Sequence, residues 1–478
     1  MLRLVYDKHG GPGRPTRREW LALGLAGCAW SAGLGSVRRA AAANGTPAQS
    51  PGFGKAKSVI LVFANGGQSQ LDTWDPKPAA PAEVRGAFDS IRTSVPGTLL
   101  CEHLPHLARL ADRYTVVRSV SHDDLDHGSA AYLALTGRFH PQKSSNPPPR
   151  PGDLPTYGAV VKRVRPTDRF PHTAVHVNAP AVVPERLAPG QFGGILGRDF
   201  EPLTVGDVTD ESVVLPGLAP QPELPPVRLQ RRRSLLETLD RYREDLIETP
   251  APRDLRVLYE QAYEMLAAPQ SRRAFDLSAE STALRERYGR NRSGQACLLA
   301  RRLVEAGVPW ITVVWNHSNR GQDIRPGETD FCGWDTHNDI FDVMKQHLLP
   351  RFDQSFSALL EDLDQRGLLD ETLVVCLGEF GRAPRVAIEP GFKGNRPGRK
   401  HWANVYSVVF AGAGVGRGGS YGASDRMAAR PARDLVTPGD LAATMYAALG
   451  IDPAAHFRDP LDRPFPIATG RPIAGLYG

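Results

Sequence analysis

Cysteine is scarce, with five residues in a chain of 478, and no two of them form a C-x-x-C pair. That spacing excludes a dithiol redox motif and a structural thiolate zinc site. P-loop, H-E-x-x-H and G-x-S-x-G patterns are also missing, which removes three common routes to nucleotide, metalloprotease and serine-hydrolase chemistry. The single G-x-G-x-x-G, Gly414 to Gly419, runs on into Ser420-Tyr421-Gly422 where a dinucleotide site needs a helix, so it reads as a tight turn. After residue 43 no apolar run is long enough to cross a bilayer. Charge of one sign is lacking too. Residues 1–43 hold seven Lys or Arg against two acids, and subtracting that +5 from the formal +6 leaves about +1 for the rest, too balanced for a nucleic-acid-binding face.

The first 43 residues have their own character. Arg17-Arg18 stands ahead of a short apolar, small-residue run over 21–34, followed by Ala41-Ala42-Ala43. Basic residues, a weakly apolar stretch and a small-residue cleavage site predict a twin-arginine-type export signal over 1–43, then a polar linker over 44–56. Leu25-Ala26-Gly27-Cys28 has the form of a lipoprotein cleavage box, a secondary alternative in which Cys28 carries a lipid anchor. Outside the cytoplasm, Cys101, Cys297, Cys332 and Cys376 could form one or two disulfides, although Cys376 sits in an apolar strand pattern typical of a buried thiol.

Beyond the linker, nearly continuous apolar runs recur at 58–64, 114–120, 173–177, 310–315, 372–377 and 405–411. Such runs suit strands buried on both faces. Helical patterns lie between them, at 104–111, 339–366 and 438–449. The last has Thr437 as N-cap, Pro438 at the first position, Asp440 three residues after the cap and Gly450 beyond the end. The alternation predicts an α/β domain over 57–455 with a doubly wound, mainly parallel sheet. Residues 141–226 hold 17 of the 42 prolines and read as a loop-rich insertion. Amphipathic helices follow over 228–307, at 228–248, 253–268, 271–287 and 294–305. A tail over 456–478 closes the chain.

Polar clusters fall where loops leave the strands, the ligand-binding edge of open α/β sheets. These are 65–77, 121–131, Gly333-Trp334-Asp335-Thr336-His337, Gly378-Glu379-Phe380-Gly381-Arg382 and Lys400-His401-Trp402. A lone His beside an Asp is commonly a surface pair. Five clusters at successive strand ends point instead to a metal centre, and His with carboxylate suits Zn, Mn, Fe or Mg.

Gly66-Gly67-Gln68-Ser69-Gln70-Leu71-Asp72-Thr73-Trp74-Asp75-Pro76, His127-Gly128-Ser129, Gly333 to His337, Gly378 to Arg382 and His401-Trp402 carry a resemblance to the domain-of-unknown-function 1501 family of exported bacterial proteins. That family is placed among the alkaline phosphatases and sulfatases. The resemblance implies an alkaline-phosphatase-like fold, one or two divalent ions (Zn, Mn, Mg or Ca), and a metal-dependent hydrolase of phosphate or sulfate esters, with anionic polysaccharide fragments among its substrates. Ser129 would be the nucleophile, with His127 and Arg382 also catalytic. Asp72, Asp335, His337, Glu379 and His401 would be metal ligands. Asn65 stands where the superfamily has a metal-binding Asp, which leaves that role to Asp72. The competing expectation is a non-catalytic relative that binds a ligand or an exported partner protein through the same cleft.

Overall fold

The computed structural model describes residues 50–477 except 184, 210–268, 323 and 326. The expected export signal, Cys28, most of the linker and the helices expected at 228–248 and 253–268 lie outside the described residues.

Among the described residues, eight strands form the central sheet: β1 (Ser58–Phe63), β2 (Tyr114–Val120), β3 (Ala174–Val177), β4 (Leu203–Val205), β5 (Trp310–Val314), β6 (Thr372–Leu377), β7 (Tyr406–Ala411) and β8 (Gly419–Tyr421). Their spatial order is β8-β2-β7-β6-β1-β5-β3-β4. β1 pairs in parallel with both β5 and β6, in registers that start at Val59 opposite Trp310 and Ser58 opposite Thr372. Every residue of β1 is buried. Ile60 and Val62 face one core, and Val59, Leu61 and Phe63 the other. This two-sided burial is why the run is apolar without alternation.

Helices α1 (His127–Thr136), α2 (Tyr157–Val164) and α5 (Pro438–Ala448) pack on the second face, while α3 (Arg292–Glu305) and α4 (Leu349–Gln365) pack on the first. α5 starts as its residues dictate. The Thr437 hydroxyl accepts from the Asp440 amide at 3.3 Å and the Asp440 carboxylate accepts from the Thr437 amide at 2.9 Å, a reciprocal capping box. The stretch expected as one helix over 339–366 is broken by a π turn, Met344–Leu348, just before Pro350. Proline has no N–H to continue the ladder, and a wider turn accommodates it.

The sheet is mainly parallel, as expected, with one reversed strand: β7 runs antiparallel to both β6 and β2, so its beginning lies at the edge where the parallel strands end. Two other expectations are corrected. The described part of the expected insertion, residues 141–209, supplies β3 and β4 to the main sheet and α2 to its second face. The tail is part of the fold, because Phe457, Ile467, Ile473 and Leu476 are buried in the second core. Cys101, Cys297, Cys332 and Cys376 are buried free thiols.

One consequence for stability comes from β3 and the turn before it. Burial pushes His176 down to about 3, and burial together with Lys162 pushes His172 down to about 4. Both are depressed in the folded state, so below about pH 6.5 the unfolded chain takes up protons that the native chain refuses. Stability is therefore expected to fall as pH drops from about 6.5 toward 4, with a slope of about 1.4 kcal/mol per pH unit for each histidine. Urea midpoints measured across that window should decline less steeply in His176→Val. An unchanged slope would show that His176 does not carry the effect.

Candidate metal centre

Four chain segments deliver their side chains to the edge where the parallel strands end. β2 leads into α1, whose first residue is His127. The loop after β5 carries Asp335 and His337, the loop after β6 carries Glu379 and Arg382, and His401 lies just before β7. A two-residue antiparallel pairing sets His401 opposite Arg382. The reversed β7 is what brings a residue preceding a strand to the edge where the others follow one.

Glycine permits the close approaches. Gly66 has φ +117°, and a Cβ there would stand 2.3 Å from the Asp335 amide nitrogen. A Cβ on Gly398 would stand 1.6 Å from the His337 carbonyl oxygen. Any side chain at either position would push the Asp335-to-His337 segment away.

Asp335 is the hub. Its Oδ1 lies 2.8 Å from Nε2 of His337, 3.1 Å from Nε2 of His127, 3.2 Å from Nε2 of His401 and 2.9 Å from Nη2 of Arg382. Ligand atoms of His127, Asp335 and His401 all fall within 4.8 Å of one another. The opposite nitrogen of each ring is fixed. Nδ1 of His127 meets Glu379 Oε1 at 2.6 Å, Nδ1 of His337 meets Glu389 Oε2 at 2.6 Å, and Nδ1 of His401 meets the Leu125 carbonyl at 2.8 Å. These partners are acceptors, so each Nδ1 carries hydrogen, and Nε2 is the nitrogen each ring turns toward the carboxylate, as a lone pair wherever the ring is neutral. The Nε2 atoms of His127 and His337 accordingly make no hydrogen bond, although both are buried. Lone pairs and a carboxylate oxygen facing one another repel unless a positive charge lies between them.

Without an ion, a proton serves. Burial disfavours the charged form of His127, but Asp335 and Glu379 outweigh it and raise the ring to about 9. His401, buried and facing that cation, is pushed down to about 3. Asp335 stays well below the usual carboxylate range despite burial, held there by the three histidines. The same residues fit one divalent ion. Imidazole Nε2 atoms with a carboxylate are an ordinary metal-ligand set, and carboxylates behind the ligand histidines are its usual support.

The structure therefore gathers Asp335, His337, His401, His127 and Arg382. His127 stands among the ligand atoms rather than as a separate catalytic group. Two expected ligands are engaged elsewhere. Glu379 spends its oxygens on His127 and on the Gly66 amide, at 2.9 and 3.0 Å, which places it behind the His127 ring rather than among the converging ligand atoms. Asp72 is buried against Arg399, with Oδ2 2.7 Å from Nε and Oδ1 3.1 Å from Nη2, and it also accepts from Ser69 at 2.5 Å. Asn65 donates to the carbonyls of Val182 and His317 at 3.2 and 3.3 Å. An Asp at position 65 could not make those bonds. The Ser129 hydroxyl is buried, donates to Asp124 at 2.7 Å and accepts from the Ser145 amide at 3.2 Å. Arg382 is fully buried and donates to the carbonyls of Gly66, Gly67 and Trp334, while its Nη1 has no partner.

Glu389 and the Leu125 carbonyl escaped the sequence reading. Glu389 lies in a Gly-rich loop with no motif around it, and a carbonyl acceptor has no sequence signature.

Fold and centre together define an α/β protein with a histidine–carboxylate cluster at the carboxyl edge of a mainly parallel sheet. The chain belongs to the family described as "Protein of unknown function (DUF1501)", whose model matches residues 56–477. No curated protein matches it. Solved structures similar to it include a phosphonate monoester hydrolase from Silicibacter pomeroyi, at 13% identity over 88% of this chain and 76% of that one, with a TM-score of 0.41. A variant of the alkaline phosphatase PafA is 11% identical over 88% of this chain and 99% of that one, with a TM-score of 0.38. The PsFucS1 sulfatase from Pseudoalteromonas sp. is 11% identical over 85% and 68%, with a TM-score of 0.36.

Proposed function

We propose that this protein is an exported, metal-dependent hydrolase of phosphate or sulfate esters, with anionic polysaccharide fragments among its substrates. The observation that carries the reading is the convergence of three imidazole Nε2 atoms on Asp335 Oδ1 beside a fixed guanidinium. The centre is reachable, since the Asp335 and His401 side chains are 17% and 19% exposed. A bound divalent ion supplies charge stabilisation at an ester oxygen and acidifies a coordinated water. Arg382, anchored by three carbonyls and by Asp335, supplies a fixed positive charge beside the centre that stabilises an anionic ester through the field it sets up there. Glu379 and Glu389 keep His127 and His337 in the tautomer that presents Nε2. Export rests on the paired arginines Arg17-Arg18 and the short apolar run behind them.

The bonds of Ser129 favour a role in tying the 144–145 loop to α1 over attack on a substrate. Aryl phosphate and aryl sulfate esters, offered to protein produced without a histidine tag in the presence of Zn, Mn, Mg or Ca, test both points. Turnover that disappears with a chelator and returns with metal is expected. Ser129→Ala should keep turnover within about tenfold while losing about 1 kcal/mol of stability from the broken hydrogen bonds. Complete loss of turnover in a folded Ser129→Ala would make the serine the nucleophile. No turnover by the parent with any of the metals would sink the hydrolase and favour the ligand-binding alternative.

A further inference from the structure

We infer that the centre takes one ion per chain, and that this ion is a nitrogen-preferring first-row transition metal of the zinc class rather than magnesium or calcium. The inference rests on the metal half of the proposed function and not on the reaction.

The donor set comes first. Three of the four candidate ligand atoms are imidazole nitrogens, from His127, His337 and His401, and the fourth is Asp335 Oδ1. Calcium takes six to eight oxygen ligands and magnesium keeps an octahedron of oxygens, much of it water, so neither gains from a nitrogen-rich set. Zinc and its neighbours do, and imidazole affinity rises from Mn through Fe and Co toward Zn. Spacing agrees with this class. Donors held at about 2.1 Å around one tetrahedral ion stand about 3.4 Å apart. The three Nε2-to-Oδ1 separations are 2.8, 3.1 and 3.2 Å, and the ligand atoms of His127, Asp335 and His401 all lie within 4.8 Å of one another, so these three side chains need only adjust around an ion, with His337 next to them as the further nitrogen donor.

Charge sets the number of ions. Asp335, Glu379 and Glu389 bring three negative charges to the cluster, and Arg382 offsets one. With neutral imidazoles the balance of −2 matches a single divalent ion. A second ion would need carboxylates that are already committed, since Asp72 is paired with buried Arg399 and Glu379 with His127. Among the described residues no other group of three or more His, Cys, Asp or Glu side chains converges closely enough to hold an ion.

The outer partners sharpen the selection. Glu389 holds His337 from behind, Phe392 stacks on the same ring at 3.6 Å between centroids and 16° between planes, and Asn338 donates to the Glu389 and Phe392 carbonyls at 3.1 Å. A ring stacked on one face and held at Nδ1 cannot easily swing away to make room for the larger oxygen shell of calcium.

The test is elemental analysis after equilibrium dialysis of chelator-treated full-length protein, made without a histidine tag, against Zn, Co, Mn, Mg or Ca singly and then in competition. About one Zn or Co per chain is expected, undisplaced by a large excess of Mg or Ca. Visible absorption of the cobalt form provides a second readout, which should change in His337→Ala. Glu389→Gln should keep one ion per chain with affinity lowered about 10- to 100-fold. Two ions per chain, stoichiometric Mg or Ca, or no bound ion in folded protein would each overturn the inference. One bound zinc with no ester turnover would leave it standing while removing the hydrolase.

Discussion

Replacing Asp335 with Asn is expected to reduce metal-stimulated ester hydrolysis by about a thousandfold or more, to the level of the metal-free protein. The substitution keeps size and shape but removes the charge that three histidines and Arg382 share. An amide oxygen in the Oδ1 position is a weaker ligand, and the amide nitrogen in the Oδ2 position would set a donor against the Asn319 side-chain amide that now donates there at 3.5 Å. Metal content should fall together with turnover, and circular dichroism and the urea midpoint should show a folded chain, because Glu379, Glu389 and the Leu125 carbonyl still hold the rings. A folded Asp335→Asn that retained one tightly bound ion and turnover within tenfold of the parent would refute Asp335 as the hub.

The second large effect concerns Asp72, which resembles a ligand in sequence and is half of a buried ion pair in the structure. Arg399 is fully buried, donating to Asp72 through Nε and Nη2, to the Ala383 carbonyl at 3.2 Å and to the Val84 carbonyl at 2.9 Å. Asp72→Asn leaves that guanidinium without its counter-charge, and breaking a buried pair from one side costs about 3–5 kcal/mol. Denaturant unfolding should show a loss of this size with metal content per folded chain unchanged. Replacing both partners, Asp72→Asn with Arg399→Met, should recover part of the loss, because the stranded charge goes with the arginine. If Asp72→Asn lost the ion while its urea midpoint stayed in place, the residue would be a ligand after all.

These two aspartates also show how far the sequence could be read. The six long central strands are legible because burial on both faces leaves few polar positions to interrupt the apolar run, and each lies within a residue or two of its expected place. β4 and β8, three residues each at the sheet's edges, are too short for a pattern. Strand direction is not legible at all, since β7 has the same Val-rich texture as its parallel neighbours and runs the other way. At the centre, Asp335, His337 and His401 stand out because His and Asp cluster at strand ends. The roles of Asp72 and Glu379 do not, because a ligand carboxylate and one that pairs with an arginine or braces a histidine look alike along the chain. Only position separates them: Asp72 meets the guanidinium of Arg399, 327 residues away, and Glu379 meets the back of a histidine ring 252 residues away.

The reversed direction of β7 has a consequence for timing. His401 stands just ahead of β7, which lies between β2 and β6, so the candidate ligand shell spans residues 127 to 401 and is tied together by the β2–β7 pairing, which joins Val120 to Tyr406 and Tyr114 to Ala411 across most of the chain. Such pairings form slowly and late, after the loop-closure entropy has been met. A ribosome-bound chain that has not yet emitted residue 401 holds at most three of the four donors. An ion held by all four donors would therefore be captured only once β7 is in place, so loading would belong to the compartment in which that pairing forms.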